Sequence, residues 1–205
     1  MQLETILAFI SASALLTIMP GPDIIYVLMQ SITNGKKFGI ATAVGLVSGI
    51  IIHTSLIAFG ISEILKHNST LFFIIKLFGA FYLFYLAFKV YQSSSKINLS
   101  ANVQKNSLFS LVKQGFFMNV LNPKVTIFFL AFFPAFIDKT SAIPIIKQIY
   151  SLGFIFMLQA FIIFSIVAVL ADKMSSFLRK NKSFEKRLKI IQIIVFIGIG
   201  VFILV

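Results

Sequence analysis

The sequence predicts an all-α membrane protein of six transmembrane helices, arranged as two inverted three-helix repeats. Three observations carry that expectation. First, 59% of the 205 residues are hydrophobic and only 12% are charged, with a mean hydropathy of +1.00. Soluble domains run at about 45–50% apolar and about 25% charged, so lipid has to solvate most of this surface. Second, six stretches reach the ~20 mainly apolar residues that a spanning helix needs. Third, a polar connection at about residues 92–110 divides them three and three. An odd number of spans per half makes the second half enter the bilayer from the opposite side, a common transporter design.

The stretches run roughly Leu3–Met29, Phe38–Ile64, Leu71–Tyr91, Leu111–Ile137, Ile149–Ala171 and Leu188–Val205. The first carries Glu4 as its only early charge, and it outruns the ~7–15 residues of a signal-peptide core, so it reads as a retained helix. Asn34-Gly35-Lys36-Lys37 is a turn signal between the first two. Lys66-His67-Asn68-Ser69 separates the second from the third, and the Ser/Asn/Lys-rich central loop follows. Asp138-Lys139-Thr140-Ser141, with Pro144 just beyond, forms the fourth connection, and a strongly basic segment from Lys173 to Lys189 forms the fifth. No soluble domain fits between these stretches. The chain reads as one membrane domain over residues 1–205, with repeat one at about 1–91 and repeat two at about 111–205.

The formal net charge is +12. In so apolar a chain the basic residues are topology signals rather than a nucleic-acid footprint. Thirteen of the 18 Lys and Arg residues fall on the side of the first, third and fifth connections, four fall on the other side, and Lys124 lies within a span. The positive-inside rule places the basic side in the cytoplasm and both termini outside. Lys76 and Lys89 sit within helix ends, where long side chains reach back to the interface. There are no cysteines, which excludes disulfides, thiolate catalysis and thiol relays.

Two motifs carry chemistry. The first helix contains Pro20-Gly21-Pro22-Asp23. Both prolines lack an N–H, which leaves the carbonyls of Leu16 and Ile18 without their helical donors, and Gly21 loosens the backbone between them. The alternatives are a kink and a broken helix. Broken backbone at membrane depth requires surrounding protein or a water-filled cavity. Asp23 lies 13 residues before Lys36, about 20 Å along a helix. That places a carboxylate inside the apolar run, where such groups mark pathways and cost about 2.5–3.5 kcal/mol to insert.

The fourth helix contains Asn119, Asn122, Pro123 and Lys124. Pro123 frees the carbonyl of Asn119, and Pro134 interrupts the helix again further on. Lys124 lies 11 residues after Lys113, about 16 Å in from the basic side. Pro22-Asp23 and Pro123-Lys124 occupy corresponding helices of the two halves, so an inverted repeat brings them together near the midplane. A zwitterionic substrate fits between them, its ammonium on Asp23 and its carboxylate on Lys124. Asp23 is the natural proton carrier of such a site, because burial opposes its charge and Lys124 supports it.

Other residues are less specific. Gly45 and Gly49, with Ser48 beside them, form a small-residue packing pattern. His53 sits mid-span, either as a satisfied buried histidine or as a functional one. His67 reads as a solvated loop residue. Gln159 lines a cavity or bridges helices, Gly198 and Gly200 permit packing, within the chain or between protomers, and the phenylalanines face lipid or core.

With these motifs in place, the chain resembles the lysine-exporter (LysE/RhtB, homoserine–threonine exporter) family over nearly its whole length. The resemblance rests on Pro20-Gly21-Pro22-Asp23 and on Gly115 to Phe136, GFFMNVLNPKVTIFFLAFFPAF, which is similar to the family's Asn-Pro-Lys region and its second proline. It implies a secondary transporter that exports amino acids or related metabolites across the bacterial cytoplasmic (inner) membrane by proton antiport, often as a homodimer. It carries no cofactor, and Pro20, Pro22, Asp23, Asn122, Pro123 and Lys124 fill the motif positions. The main alternative is an exporter of metal ions or other small solutes on a related three-plus-three fold, which would require clustered carboxylates or histidines in the spans. A non-transporting scaffold has no need of charges at depth, and an enzyme needs more polar groups than this chain offers.

Overall fold

The computed structural model describes residues 3–61, 69–92, 106–138, 140–171 and 182–204. The second connection, most of the central loop and the basic segment before Lys182 lie outside the described residues, and so does His67. Among the described residues every regular element is helical.

The first apolar stretch forms two helices, α1 (Leu3–Ile18) and α2 (Pro22–Asn34), whose axes bend by 58° at the Pro-Gly-Pro break. Pro22 opens α2, where its missing N–H costs nothing. The expected four-residue turn shrinks to Gly35 alone, at φ +98°, a conformation glycine adopts without strain. Lys36 and Lys37 therefore belong to the first turn of α3 (Lys36–Leu56) rather than to a loop, and α3 ends in a π-helical turn, Ile57–Ile61. α4 (Ser69–Gln92) follows.

The fourth stretch breaks in the same way. α5 (Leu108–Val120) starts at Ser107, whose hydroxyl caps the Ser110 amide. α6 (Pro123–Ile127) opens on Pro123 and continues through a π-helical turn, Phe128–Phe132, into a 3₁₀ turn at Pro134, Phe133–Phe136. The bend between its two arms is 48°. α7 (Ile145–Val169) and α8 (Lys182–Leu204) complete the order.

By length and composition, Lys36–Gly60 and Ile145–Val169 can each cross a membrane, and so can each bent pair taken as one broken span. Phe78, Phe81 and Phe154 point outward and are well exposed, as lipid-facing residues are.

The core gathers α1, α2, α3, the second broken helix and α7, while α8 packs along α4. The tightest crossing is α3 against α5. A Cβ on Gly45 would meet the Val112 carbonyl, and one on Gly115 would meet that of Thr42, so both backbones approach through glycine. Gly200 of α8 faces the Phe84 ring within the same chain. The loop after Phe136 is held by buried Gln148, which accepts from the Asp138 amide and donates to the carbonyls of Asp138 and Ile143. The Thr140 hydroxyl and amide hold the exposed Asp138 carboxyl below its usual range.

Gly45→Val is expected to destabilise the protein by about 1–3 kcal/mol, the usual cost of forcing volume into a filled contact. Thermal unfolding in detergent checks this against Gly60→Ala, which nothing within 4 Å opposes and which should leave the midpoint near that of the parent.

Candidate functional site

The two proline breaks meet. Pro22 and Pro123 each open a half-helix, and the residue after each proline carries the charge: Asp23 in α2 and Lys124 in α6. Both side chains are buried. Lys124 Nζ lies 3.3 Å from Asp23 Oδ2 and 3.5 Å from Oδ1.

The surroundings of the pair follow from the first break. Pro20 cannot supply the N–H that the Leu16 carbonyl would otherwise receive. Lys124 Nζ donates to that carbonyl at 3.0 Å and also reaches the Met19 carbonyl at 3.4 Å. The ammonium thus sits on the negative C-terminal end of α1, while Asp23 occupies the positive first turn of α2. One break provides a favourable pole for each charge. Gly21 makes room for both, since a Cβ there would lie 2.7 Å from Asp23 Oδ1 and 3.1 Å from Lys124 Nζ.

The second break has its own closure. Asn122 caps α6, its Oδ1 accepting from the Lys124 amide at 3.0 Å. The Asn119 carbonyl, deprived of a donor by Pro123, accepts from the Asn122 amide at 2.9 Å and from His53 Nε2 at 3.2 Å. A carbonyl only accepts, so Nε2 carries the proton. Asn119 Oδ1 and Asn122 Nδ2 are buried with no partner among the described residues.

Asp23, Lys124 and Asn119 line one small cavity together with Thr17, Ile50, Phe156 and Phe164. Its volume is about 10 Å³, the scale of a single water, so anything larger enters only when the helices move apart. Next to it lies a phenylalanine cluster from three elements. Phe129 stacks on Phe156 at 5.5 Å and on Phe133 at 4.9 Å, and Phe9 meets Phe133 edge-on at 5.3 Å.

The structure therefore brings Pro20, Gly21, Pro22, Asp23, Asn119, Asn122, Pro123 and Lys124 to one place. Gln159 lies outside the cavity lining, with its Nε2 buried and without a partner among the described residues. Two features escaped the sequence reading. His53 was weighed as an isolated residue, yet it serves the Asn-Pro-Lys break. A polar ladder climbs α2, with Asn34 donating to Gln30, Gln30 to the Tyr26 hydroxyl, and Tyr26 to Gln114 of α5. Its signal was available, because residues 26, 30 and 34 repeat at one helical turn. Among the described residues, no three of His, Cys, Asp and Glu gather as a metal site would require.

Comparisons with known proteins give the chain a family. The family described as "LysE type translocator" matches residues 14–205. A homoserine/homoserine lactone efflux protein of Salmonella typhimurium is 29% identical over 185 residues, covering 90% of this chain and 89% of that protein. Its counterpart in Salmonella typhi aligns with the same identity and coverage. The uncharacterized membrane protein YrhP of Bacillus subtilis is 28% identical over 208 aligned positions, covering 97% of this chain and 98% of that protein. No solved structure matches the chain.

Removing one partner of a buried pair strands the other, at a typical cost of about 3–5 kcal/mol. Lys124→Met is therefore expected to lower the unfolding midpoint sharply, and adding Asp23→Asn should recover much of the loss. Simple addition of the two single effects in a thermal-unfolding cycle would contradict a direct pair.

Proposed function

The chain belongs to the LysE type translocator family, and from that premise we propose that it is a secondary transporter exporting small amino acids or their close relatives. The observation that carries this reading is the buried Asp23–Lys124 pair at the meeting of two broken helices. A multi-pass membrane protein keeps such charges at a pathway rather than in a packing core. The pair offers one anion and one cation at hydrogen-bonding distance, matched to the ammonium and carboxylate of an amino acid. The relatives named for homoserine and homoserine lactone efflux support a substrate of that size and class.

In mechanism, Asp23 and Lys124 neutralise one another while the cavity is closed. A zwitterion entering between them takes over both contacts, Asp23 holding the ammonium and Lys124 the carboxylate. The half-helix start at Pro22 and the Asn119 Oδ1 and Asn122 Nδ2 atoms, which have no partner among the described residues, offer further hydrogen bonds. Asp23 also carries the proton: protonated, it releases the ammonium, and export is then coupled to proton entry as an antiport.

The architecture we propose for it is six spans in two inverted halves, α1 to α4 and α5 to α8, within one domain over residues 1–205. The matching positions of Asp23 and Lys124, each just after the proline that opens a half-helix, favour that inversion. The membrane is the bacterial cytoplasmic one, both termini face outward, and the working unit is a homodimer.

Proteoliposomes loaded with a panel of labelled amino acids test the reading. Efflux of at least one neutral amino acid is expected, accelerated by an opposing pH gradient. Asp23→Asn should cut the rate by up to about 100-fold, the scale of losing a charge-assisted contact of up to about 3 kcal/mol. Efflux that ignores a collapsed gradient would remove the proton coupling, and no efflux of any amino acid would remove the export reading.

A further inference from the structure

We propose that His53 is a positioning residue of the transport site, holding the Asn-Pro-Lys break in the register that lets Lys124 reach Asp23. The proposal deepens the export reading and rests on it for its meaning, though not for its test.

The argument starts from the backbone. Pro123 lacks an N–H, so the Asn119 carbonyl loses its helical donor and keeps only the tighter bond from the Asn122 amide within its own chain segment. His53 Nε2 supplies the donor at 3.2 Å from α3, outside the broken helix altogether. The ring is buried, and its plane is set by stacking on Phe129 at 5.4 Å and 28°. One turn earlier on α3, Gly49 lets the Asn119 side chain close in, since a Cβ there would lie 2.7 Å from Asn119 Oδ1. Helix α3 is thus shaped to receive Asn119 twice, once by an absent side chain and once by a hydrogen-bond donor.

From Asn119 the bonds run on without a gap. Its carbonyl also accepts the Asn122 amide at 2.9 Å. The Asn122 side chain caps the Lys124 amide at 3.0 Å, and Lys124 Nζ reaches Asp23 Oδ2 at 3.3 Å. Without the His53 donor the carbonyl keeps the Asn122 amide alone, and the hydrogen bond that ties this break, and with it the root of Lys124, to α3 is lost.

The arrangement is reciprocal. Of the carbonyls freed at the first break, that of Leu16 is held by Lys124 from the second half of the chain. The carbonyl freed at the second break, on Asn119, is held by His53 from the first half. Each half thus donates a hydrogen bond to the other's break.

The test uses the full chain, with labelled L-homoserine as probe for transport and thermal unfolding in detergent for coupling. His53→Leu removes the donor at similar size. It is expected to raise the KM for homoserine export by about tenfold or more while the maximal rate stays within about threefold, the scale of one lost buried hydrogen bond. His53→Gln, which restores an N–H at the same reach, should bring KM back to within about threefold of the parent. In the unfolding cycle, His53→Leu and Lys124→Met should be non-additive. Strict additivity overturns the proposal whether or not homoserine is moved, and so does a parental KM in His53→Leu. Parental protein that moves no homoserine counts against the export reading with that probe alone, and the cycle still decides the role of His53. If His53→Leu does not fold, His53→Gln is compared with the shorter His53→Asn. Retained KM in Gln and raised KM in Asn support the proposal, and equal values overturn it.

Discussion

Backbone N–H and C=O groups in a hydrocarbon interior have no water to fall back on, and each one left unpaired costs several kcal/mol. Pro20 and Pro123 violate that constraint deliberately, by withdrawing the donors of the Leu16 and Asn119 carbonyls. Much of the interior can be read as the response. Lys124 answers the first vacancy, and His53 joins the local Asn122 amide at the second. Lys124 and His53 each come from the opposite half of the chain, so satisfying the backbone also ties the halves to one another.

The ion pair gains from the same defect. A carboxylate and an ammonium taken out of water are costly, and their mutual attraction repays this only with good geometry and further hydrogen bonds. The broken first helix supplies two opposite helix ends at one point, so each charge finds a pole of the right sign. Gly21 keeps that point free of side chains. The cost of opening the helix and the cost of burying the charges are thus met by one arrangement.

Close backbone approach does the rest of the positioning. Gly45 and Gly115 let α3 and α5 touch main chain to main chain, and Gly49 admits Asn119. That brings His53 within reach of a carbonyl 66 residues away. The aromatic cluster from α1, the second broken helix and α7 packs beside the cavity. The room left is the size of a water, so a substrate-sized space depends on relative motion of elements tied by these few polar contacts.

The sequence by itself determined the membrane class, the helical stretches, the two breaks and the identity of the buried charges. Those features are local: hydropathy over ~20 residues, the missing N–H of proline and the expense of charge at depth need no knowledge of neighbours. It also indicated which carbonyls are freed, since that follows from counting four residues back. Tertiary structure alone decided who answers them. Lys124 on Leu16 and His53 on Asn119 are contacts across 108 and 66 residues, set by helix crossing rather than by any local pattern. Hence the sequence left His53 open between a satisfied buried histidine and a functional one, and only the crossing of α3 with the second break gives it a partner.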